Sequence, residues 1–397
     1  MNIVRLARNA DKKLQRWRDQ DLRTVLVNAR RSMNYSIVAP IVEAMKTDRR
    51  VKFYFVSSEE PGRAREIYRD GGPDLDIISP FKAASKRVDA YLVADLIWLA
   101  MPRGACRIFM FHGVAGKYGH VYDTPCRSMR EWDRLFFINQ RRLNNFINAR
   151  AIDPDSRAAR LVGMPKTDCL VDGSLDRDTI LEKMGLDPGR RVILYAPTWS
   201  ADSSLNVMGE EIIKRLCGAG FAVVVKLHDG SLMPGRFFSG GIDWRARLSP
   251  LLRKTGGILA AGGDSCPFLA ASDVLVTDHS SVGFEYLLLD RPLVRIHVDR
   301  LIAGTSVNPD YVEIMSRVST TIMRPAEIVT AVEASLADPI SKSAERKAVA
   351  TDLFYGPGSA TARAVSELYD AIELAPPDYV PVNNDRSQLQ GAEALKM

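Results

Sequence analysis

The sequence predicts an α/β protein built of two doubly wound domains that face each other. Short apolar segments rich in β-branched and aromatic residues alternate with helix-length segments, the pattern of parallel sheets covered on both faces. The alternation runs from about residue 24 to Asp168 and then restarts, giving two runs of similar size. The chain of 397 residues is long enough for both, at roughly 100–200 residues per domain.

Taken in order, residues 1–23 form a basic segment. Residues 1–31 hold nine Lys or Arg against three Asp, and the rest of the chain carries 45 charges of each sign, so the net +6 is local to this stretch. Val4, Leu6, Leu14 and Trp17 partly align on one helix face. A basic, weakly amphipathic helix with a Trp suits an anionic membrane surface, while a solvated helix packed by its apolar edge is the plain alternative. The first domain, residues 24–168, takes its strands from Thr24–Asn28, Val51–Val56, Val88–Val93, Arg107–Phe111 and Leu135–Ile138. Gly163–Asp168 reads as the crossover and Asp172–Arg177 as the linker after it. The second domain, residues 169–372, has strands at Val192–Tyr195, Ala222–Leu227, Gly257–Ala260, Val274–Thr277 and Leu293–Ile296, with helices at Gly209–Cys217 and Val282–Leu289. Pro357–Ser359 reads as a helix start and Thr361–Ile372 as the last helix. Residues 373–397, with three prolines and then Asn, Asp, Ser and Gln, have little to bury and predict a disordered tail.

Composition narrows the function classes. With 46% hydrophobic and 26% charged residues, the chain is not collagenous, coiled-coil or mainly disordered. The longest apolar stretch, Ala90 to Met101, is broken by Asp95 and falls short of the ~18 residues of a membrane span. The N-terminus runs straight into charge without a signal peptide, so a cytoplasmic protein is expected. Five scattered cysteines (Cys106, Cys126, Cys169, Cys217, Cys266) form no close pair, which excludes a zinc ribbon or a disulfide scaffold and predicts reduced thiols. No helix-turn-helix or aromatic–basic interleaving follows the basic segment, so nucleic acid is not an expected partner.

Three of the five histidines, His112, His228 and His279, end or just follow a predicted strand and precede a small or polar loop, where parallel sheets bind ligands. In Phe111-His112-Gly113-Val114-Ala115-Gly116-Lys117 the glycines allow close backbone approach, His112 offers a base near neutral pH and Lys117 a cation. A structural His in a strand-to-loop turn is the alternative. Lys226 and His228 lie two apart and share a strand face, which suits a phosphate, unless Lys226 is exposed and His228 simply caps the turn. In Thr277-Asp278-His279-Ser280-Ser281 a buried strand runs directly into a helix start, where hydroxyls and free amides make an anion site or an ordinary cap. The P-loop, G-x-S-x-G, H-E-x-x-H and G-x-G-x-x-G patterns are absent. Asp74-Leu75-Asp76 matches the metal-binding D-x-D of some glycosyltransferases, but follows Gly71-Gly72-Pro73 and reads as a loop entering a strand.

Together these pieces resemble the CDP-glycerol glycerophosphotransferase family, which builds poly(alditol phosphate) chains such as teichoic acids. The resemblance rests on His112-Gly113 with Lys117, Gly163-Met164-Pro165-Lys166-Thr167-Asp168, Tyr195-Ala196-Pro197-Thr198-Trp199, Lys226-Leu227-His228, and the run from Asp273 to Pro292. It spans residues 112–296, and Gly356-Pro357-Gly358-Ser359 is similar to the family's last turn. The chain departs from the family at His279, where members usually show Tyr, and at Asp229, where Pro is common. The resemblance implies a GT-B-like arrangement of two Rossmann-like domains with a cleft between them, the N-terminal one on the acceptor side and the C-terminal one holding the nucleotide. It implies a transferase that moves an alditol phosphate, in first place glycerol phosphate, from CDP-glycerol or a related CDP-alditol to a hydroxyl of a lipid-linked or glycan acceptor. CMP would be released, with no cofactor and no metal. His112 and His228 would be catalytic; Gly113, Lys117, Lys166, Thr198, Lys226, Asp278, His279, Ser280, Ser281 and Glu285 would bind substrate. A place on the inner membrane face, in contact through residues 1–31, is also implied. The rivals are a GT-B glycosyltransferase or epimerase acting on a UDP- or CMP-sugar, and a non-catalytic scaffold that keeps only the fold.

Overall fold

The structure, a computed structural model, describes residues 22–95, 104–114, 127–260, 263–305 and 307–380. The N-terminal segment up to residue 21, Lys117, His120, Cys126 and the tail beyond residue 380 lie outside the described residues.

Among the described residues, two six-stranded sheets form the framework. The first contains β1 (Arg23–Asn28), β2 (Val51–Val56), β3 (Ala90–Val93), β4 (Cys106–Met110), β5 (Arg134–Phe137) and β6 (Ala159–Leu161), in the order β2-β1-β3-β4-β5-β6. The second contains β7 (Val192–Tyr195), β8 (Ala222–Val225), β9 (Ile258–Leu259), β10 (Val274–Thr277), β11 (Leu293–Ile296) and β12 (Thr320–Ile322), in the order β12-β11-β10-β7-β8-β9. Every strand pair is parallel. The central strands are apolar except for Thr277 and Arg295 and are buried along their length, because helices cover both faces and no alternation is needed. The expected doubly wound pair is therefore present. Strand order reverses between β1 and β3 in the first sheet and between β7 and β10 in the second, and crevices open at such points.

Helices referred to by label are α1 (Ser32–Met45), α2 (Gln140–Asn148), α3 (Ser204–Gly218), α4 (Trp244–Thr255), α5 (Val282–Tyr286), α6 (Ser343–Leu353) and α7 (Ala360–Ala371). The sequence reading did not contain β6 or β12. Both are three-residue edge strands whose side chains are mostly part-exposed, so neither leaves an apolar run to detect. Asp74–Asp76 is a loop, as read, leading to a single bridge between Ile77 and Phe55 rather than a full strand.

The last helix departs from the sequence division. Residues up to 372 were expected in the second domain, yet α7 packs on the first. Arg23 Nε donates to the Ile372 carbonyl at 3.0 Å, Tyr369 donates to Asp48 at 2.9 Å, and Glu367 and Asp370 pair with Arg160 and Arg134. Asp168 fixes this return. Its carboxylate accepts the amides of Gly358, Ala360 and Thr361 at 2.8, 3.2 and 2.7 Å, closing the start of α7 onto the crossover. Gly163 makes the crossover possible, with φ +92° and the Tyr355 carbonyl 2.5 Å from where a Cβ would stand. The start of the expected disordered tail is packed instead. Arg50 donates to the Ala375 carbonyl at 3.0 Å and Val380 is buried, so residues 373–380 lie against the first domain.

The basic segment needs a similar correction. Arg23 is buried in β1, Arg30 pairs with Glu59, and Arg31 sits at the domain junction over the Phe238 ring. These three arginines serve the fold and the cleft, and the other six Lys or Arg of residues 1–31 lie outside the described residues. Among the described residues no helix is long and apolar enough to cross a membrane. The described cysteines Cys106, Cys169, Cys217 and Cys266 are free thiols.

Candidate active site

The cleft between the two sheets is lined from the first domain by Met33, Ile37, His112, Gly113 and Arg142, and from the second by Thr198, Trp199, Lys226, His228, Ser280 and Ser281, with Lys166 and Glu285 at its floor. Its enclosed part is about 160 Å³, less than the roughly 300–1,000 Å³ of a typical small-molecule pocket, so a nucleotide-sized ligand would extend into the open cleft.

On the first-domain wall, β4 delivers Phe111 and His112 to the cleft. Asn139 caps α2 through its Oδ1 on the Arg142 amide (2.8 Å), and its Nδ2 donates to the Val114 carbonyl (2.8 Å) and the Leu353 carbonyl (2.9 Å). One buried amide thus ties the His112 loop to α2 and α6. Arg142 adds a bond to the Gly113 carbonyl at 3.1 Å and stacks 4.6 Å from the Phe111 ring centroid. The His112 Nδ1 lies 2.5 Å from the Ala94 carbonyl. A carbonyl only accepts, so Nδ1 carries the proton and Nε2 keeps its lone pair. Burial lowers the His112 pKa below the ordinary histidine value, Asp95 and the Ala94 bond oppose this, and Arg142 and Arg31 add to it. Burial thereby favours the neutral ring.

His228 has the opposite polarity. Its Nδ1 accepts the Gly230 amide at 2.9 Å, which leaves Nε2 to carry hydrogen as a donor. Beside it Lys226 is buried, yet its ammonium touches only the Leu227 carbonyl at 3.1 Å and has no carboxylate within 4 Å among the described residues. Burial lowers its pKa, partly offset by Asp229. A buried cation without a counter-ion in a cleft is a site for an anion. Lys226 and His228 do not share a strand face as expected, because β8 ends at Val225, but both line the cleft from the segment that follows it. Ser280 and Ser281 line the same wall where β10 passes into α5.

Lys166 and Glu285 are spent on each other. The Lys166 ammonium meets Glu285 at 2.7 Å and Ser265 at 2.8 Å with both charged side chains about 4% exposed. Burial alone would lower the Lys166 pKa, but Glu285 outweighs it and holds the lysine above its ordinary value. Thr198 is positioned by its amide on Asp278 at 2.8 Å.

Two expected binding residues do not reach the cleft. Asp278 is fully buried, and its carboxylate accepts the Thr198 amide and the Ser204 amide and hydroxyl at 2.8, 3.0 and 2.9 Å, so it positions the loop after β7 and the start of α3. His279 turns behind the cleft, 3.4 Å from the Arg295 guanidinium, which also meets His297 at 3.2 Å and Thr321 at 3.1 Å. The sequence reading passed over Arg142 and Trp199 as wall residues. Arg142 sits on an ordinary amphipathic helix and no motif surrounds it, whereas Trp199 stood inside the quoted Tyr195–Trp199 run. Among the described residues no group of three or more His, Cys, Asp or Glu is placed to hold a metal ion.

Comparison with known proteins bears on this cleft. The family described as CDP-glycerol:poly(glycerophosphate) glycerophosphotransferase matches residues 90–370. A teichoic acid poly(glycerol phosphate) polymerase of Staphylococcus epidermidis is 26% identical over 178 residues, which is 42% of this chain. The match spans only 23% of that relative's length. Among solved structures, the wall teichoic acid polymerase TagF superposes with TM-score 0.65 at 18% identity over 89% of this chain and 90% of that one. A UDP-N-acetylglucosamine 2-epimerase superposes with TM-score 0.56 at 15% identity, covering 90% of this chain and 98% of that one. At these identities the structures share the fold, with two facing Rossmann-like domains.

Proposed function

The chain belongs to the CDP-glycerol:poly(glycerophosphate) glycerophosphotransferase family, and from that premise we propose that it transfers an alditol phosphate, glycerol phosphate first, from a CDP-alditol to an acceptor hydroxyl. The observation that carries the proposal is the opposed polarity of the two histidines across the cleft, with the counter-ion-free Lys226 beside the donor one. The acceptor oxygen forms a bond to the alditol-bearing phosphorus, the bond from that phosphorus to the bridging oxygen breaks, and CMP leaves with the electron pair. His112 Nε2 takes the hydroxyl proton. Lys226, the His228 Nε2–H, Ser280 and Ser281 neutralise the diphosphate as charge builds on the leaving CMP. Charge on the diphosphate is answered by protein cations and donors, and the reading calls for no resident cofactor. The protein would work at the inner membrane face on a lipid-linked or glycan acceptor, with Arg5, Arg8, Lys12, Lys13, Arg16 and Arg18 meeting anionic lipid.

Nucleotide release tests this. The purified protein is given crude membrane-lipid acceptor with CDP-glycerol, CDP-ribitol or UDP-sugars. CMP release confined to a CDP-alditol is the expected result. UDP or UMP release would move the protein to sugar-nucleotide chemistry on the same fold.

A further inference from the structure

Beside the catalytic cleft lies a second cavity of about 410 Å³ that the reaction described above does not use. Four arginines line it, Arg30, Arg31, Arg63 and Arg245, against two acids, Glu66 and Asp229. Arg30 is paired with Glu59 and Arg63 with Glu66. Arg31 and Arg245 have no carboxylate within 4 Å among the described residues. Arg31 is half-buried at the domain junction, held 5.2 Å from the Phe238 ring centroid, and Arg245 projects from the first turn of α4. The cavity is therefore walled from both domains and its lining holds more cations than acids, with Asp95, Asp229 and Glu60 acting on Arg31 and Glu66 on Arg245 from beyond ion-pair distance.

Its position relative to the chemistry is specific. Asp229 belongs to the walls of both cavities, and its Oδ2 accepts the Met33 amide at 3.3 Å, where Met33 itself lines the catalytic cleft. The two cavities thus meet at the segment Arg31–Met33. Arg31 is also close enough for its charge to bear on His112. An acceptor whose hydroxyl stands at His112 would extend its next group toward this cavity.

We propose that the Arg30–Arg31–Arg63–Arg245 cavity is the acceptor subsite and that it takes a phosphate of the acceptor, one unit away from the attacking hydroxyl. The inference rests on the phosphotransferase reading and assigns the residues that would hold the anionic group of its acceptor. Guanidinium groups suit this task because they offer several donors in a plane and stay charged when partly buried. In a growing chain of alditol phosphates the terminal hydroxyl and the nearest phosphodiester are separated by a single alditol, so one cavity beside the base serves every round of addition. A lipid diphosphate carrier would present the same chemistry.

The test uses the full chain with CDP-glycerol and two acceptors, a short water-soluble glycerol phosphate oligomer and a neutral disaccharide on a short-chain prenyl diphosphate. Arg31→Gln and Arg245→Gln are each compared with wild type, and Arg247→Gln, an exposed neighbour outside the cavity, is the control. Each cavity variant should raise the acceptor KM roughly ten- to hundredfold, the range of a charge-assisted hydrogen bond, while the Kd for CDP-glycerol by titration moves less than about twofold. Added salt should raise the wild-type acceptor KM and flatten the difference between wild type and variant. Loss confined to the oligomer places a polymer phosphodiester in the cavity, and loss confined to the prenyl diphosphate places the carrier there. Unchanged acceptor KM in both variants, or equal weakening of donor and acceptor, overturns the subsite. Failure of the wild type to release CMP from any CDP-alditol would instead overturn the phosphotransferase reading on which it rests.

Discussion

At the scale of single residues, the cleft separates groups by what their neighbours have already claimed. His112 has one nitrogen committed to Ala94 and no partner for the other among the described residues, in a ring whose neutral form burial favours. Replacing it with Ala should lower kcat by about 10²–10⁴-fold, the usual loss for a general base, while CDP-glycerol still binds by titration. Near-normal turnover would remove the assignment. The same lowered pKa sets a pH profile. The base works deprotonated, so activity is lost as pH falls through its pKa, and the acid limb of kcat/KM should lie below the ordinary histidine value of 6.5. A limb above that value would show that His112 does not titrate it. The two cleft lysines should part company in the same way. Lys226→Met removes a buried ammonium with no carboxylate partner, so donor Kd should weaken about ten- to hundredfold without loss of thermal stability. Lys166→Met leaves Glu285 buried and unpaired, which should cost about 3–5 kcal/mol in denaturant unfolding, and adding Glu285→Leu should restore most of it. An equal effect of both single changes on stability would erase the distinction.

At the scale of elements, what the sequence made legible follows from how far each signal reaches. The central strands announce themselves because burial on both faces demands unbroken apolar runs, as in Val25–Val27 or Val274–Val276. β6 and β12 are edge strands in which part of each side-chain row meets water, so Ala159–Leu161 and Thr320–Ile322 carry no such run. His112, Lys226 and His228 were readable since each stands just past a strand. Asp278 and His279 stand there too, and nothing in their spacing says that one turns to the Ser204 amide and the other to Arg295. The capping of α7 by Asp168 is likewise invisible locally, as its partners lie some 190 residues away. That bond set can be tested. Asp168→Ala leaves the amides of Gly358, Ala360 and Thr361 without their acceptor and should cost about 2 kcal/mol, the upper range for a lost helix cap. Proteolysis should then cut first near residue 358, and an unchanged cleavage pattern would mean that α7 is held by its packing alone.

At the scale of the whole molecule, the sequence gives two domains but not how closely they stand, because the contacts that set the gap join residues far apart in the chain. Met33 donates to Asp229 and the Gly263 amide donates to Asp70, both across the domain boundary. Gly263 is the tightest of these points. A Cβ there would stand 2.5 Å from the Ser32 Cβ and 2.6 Å from the Ser32 backbone carbon. The backbone at the start of α1 cannot rotate aside as a side chain can, so Gly263→Val should be accommodated by moving the two domains apart. His112 would then draw away from Lys226 and His228 while each wall stays intact. A displacement on the order of 1 Å between reacting groups costs about a hundredfold in rate. Turnover should fall by about that much, CDP-glycerol should still bind to the second domain, and thermal stability should change little. Small-angle scattering should record a larger radius of gyration for the variant. If the radius is unchanged and turnover is normal, the strain is absorbed in the Gly263 loop, and the spacing of the domains is not what brings base and donor together.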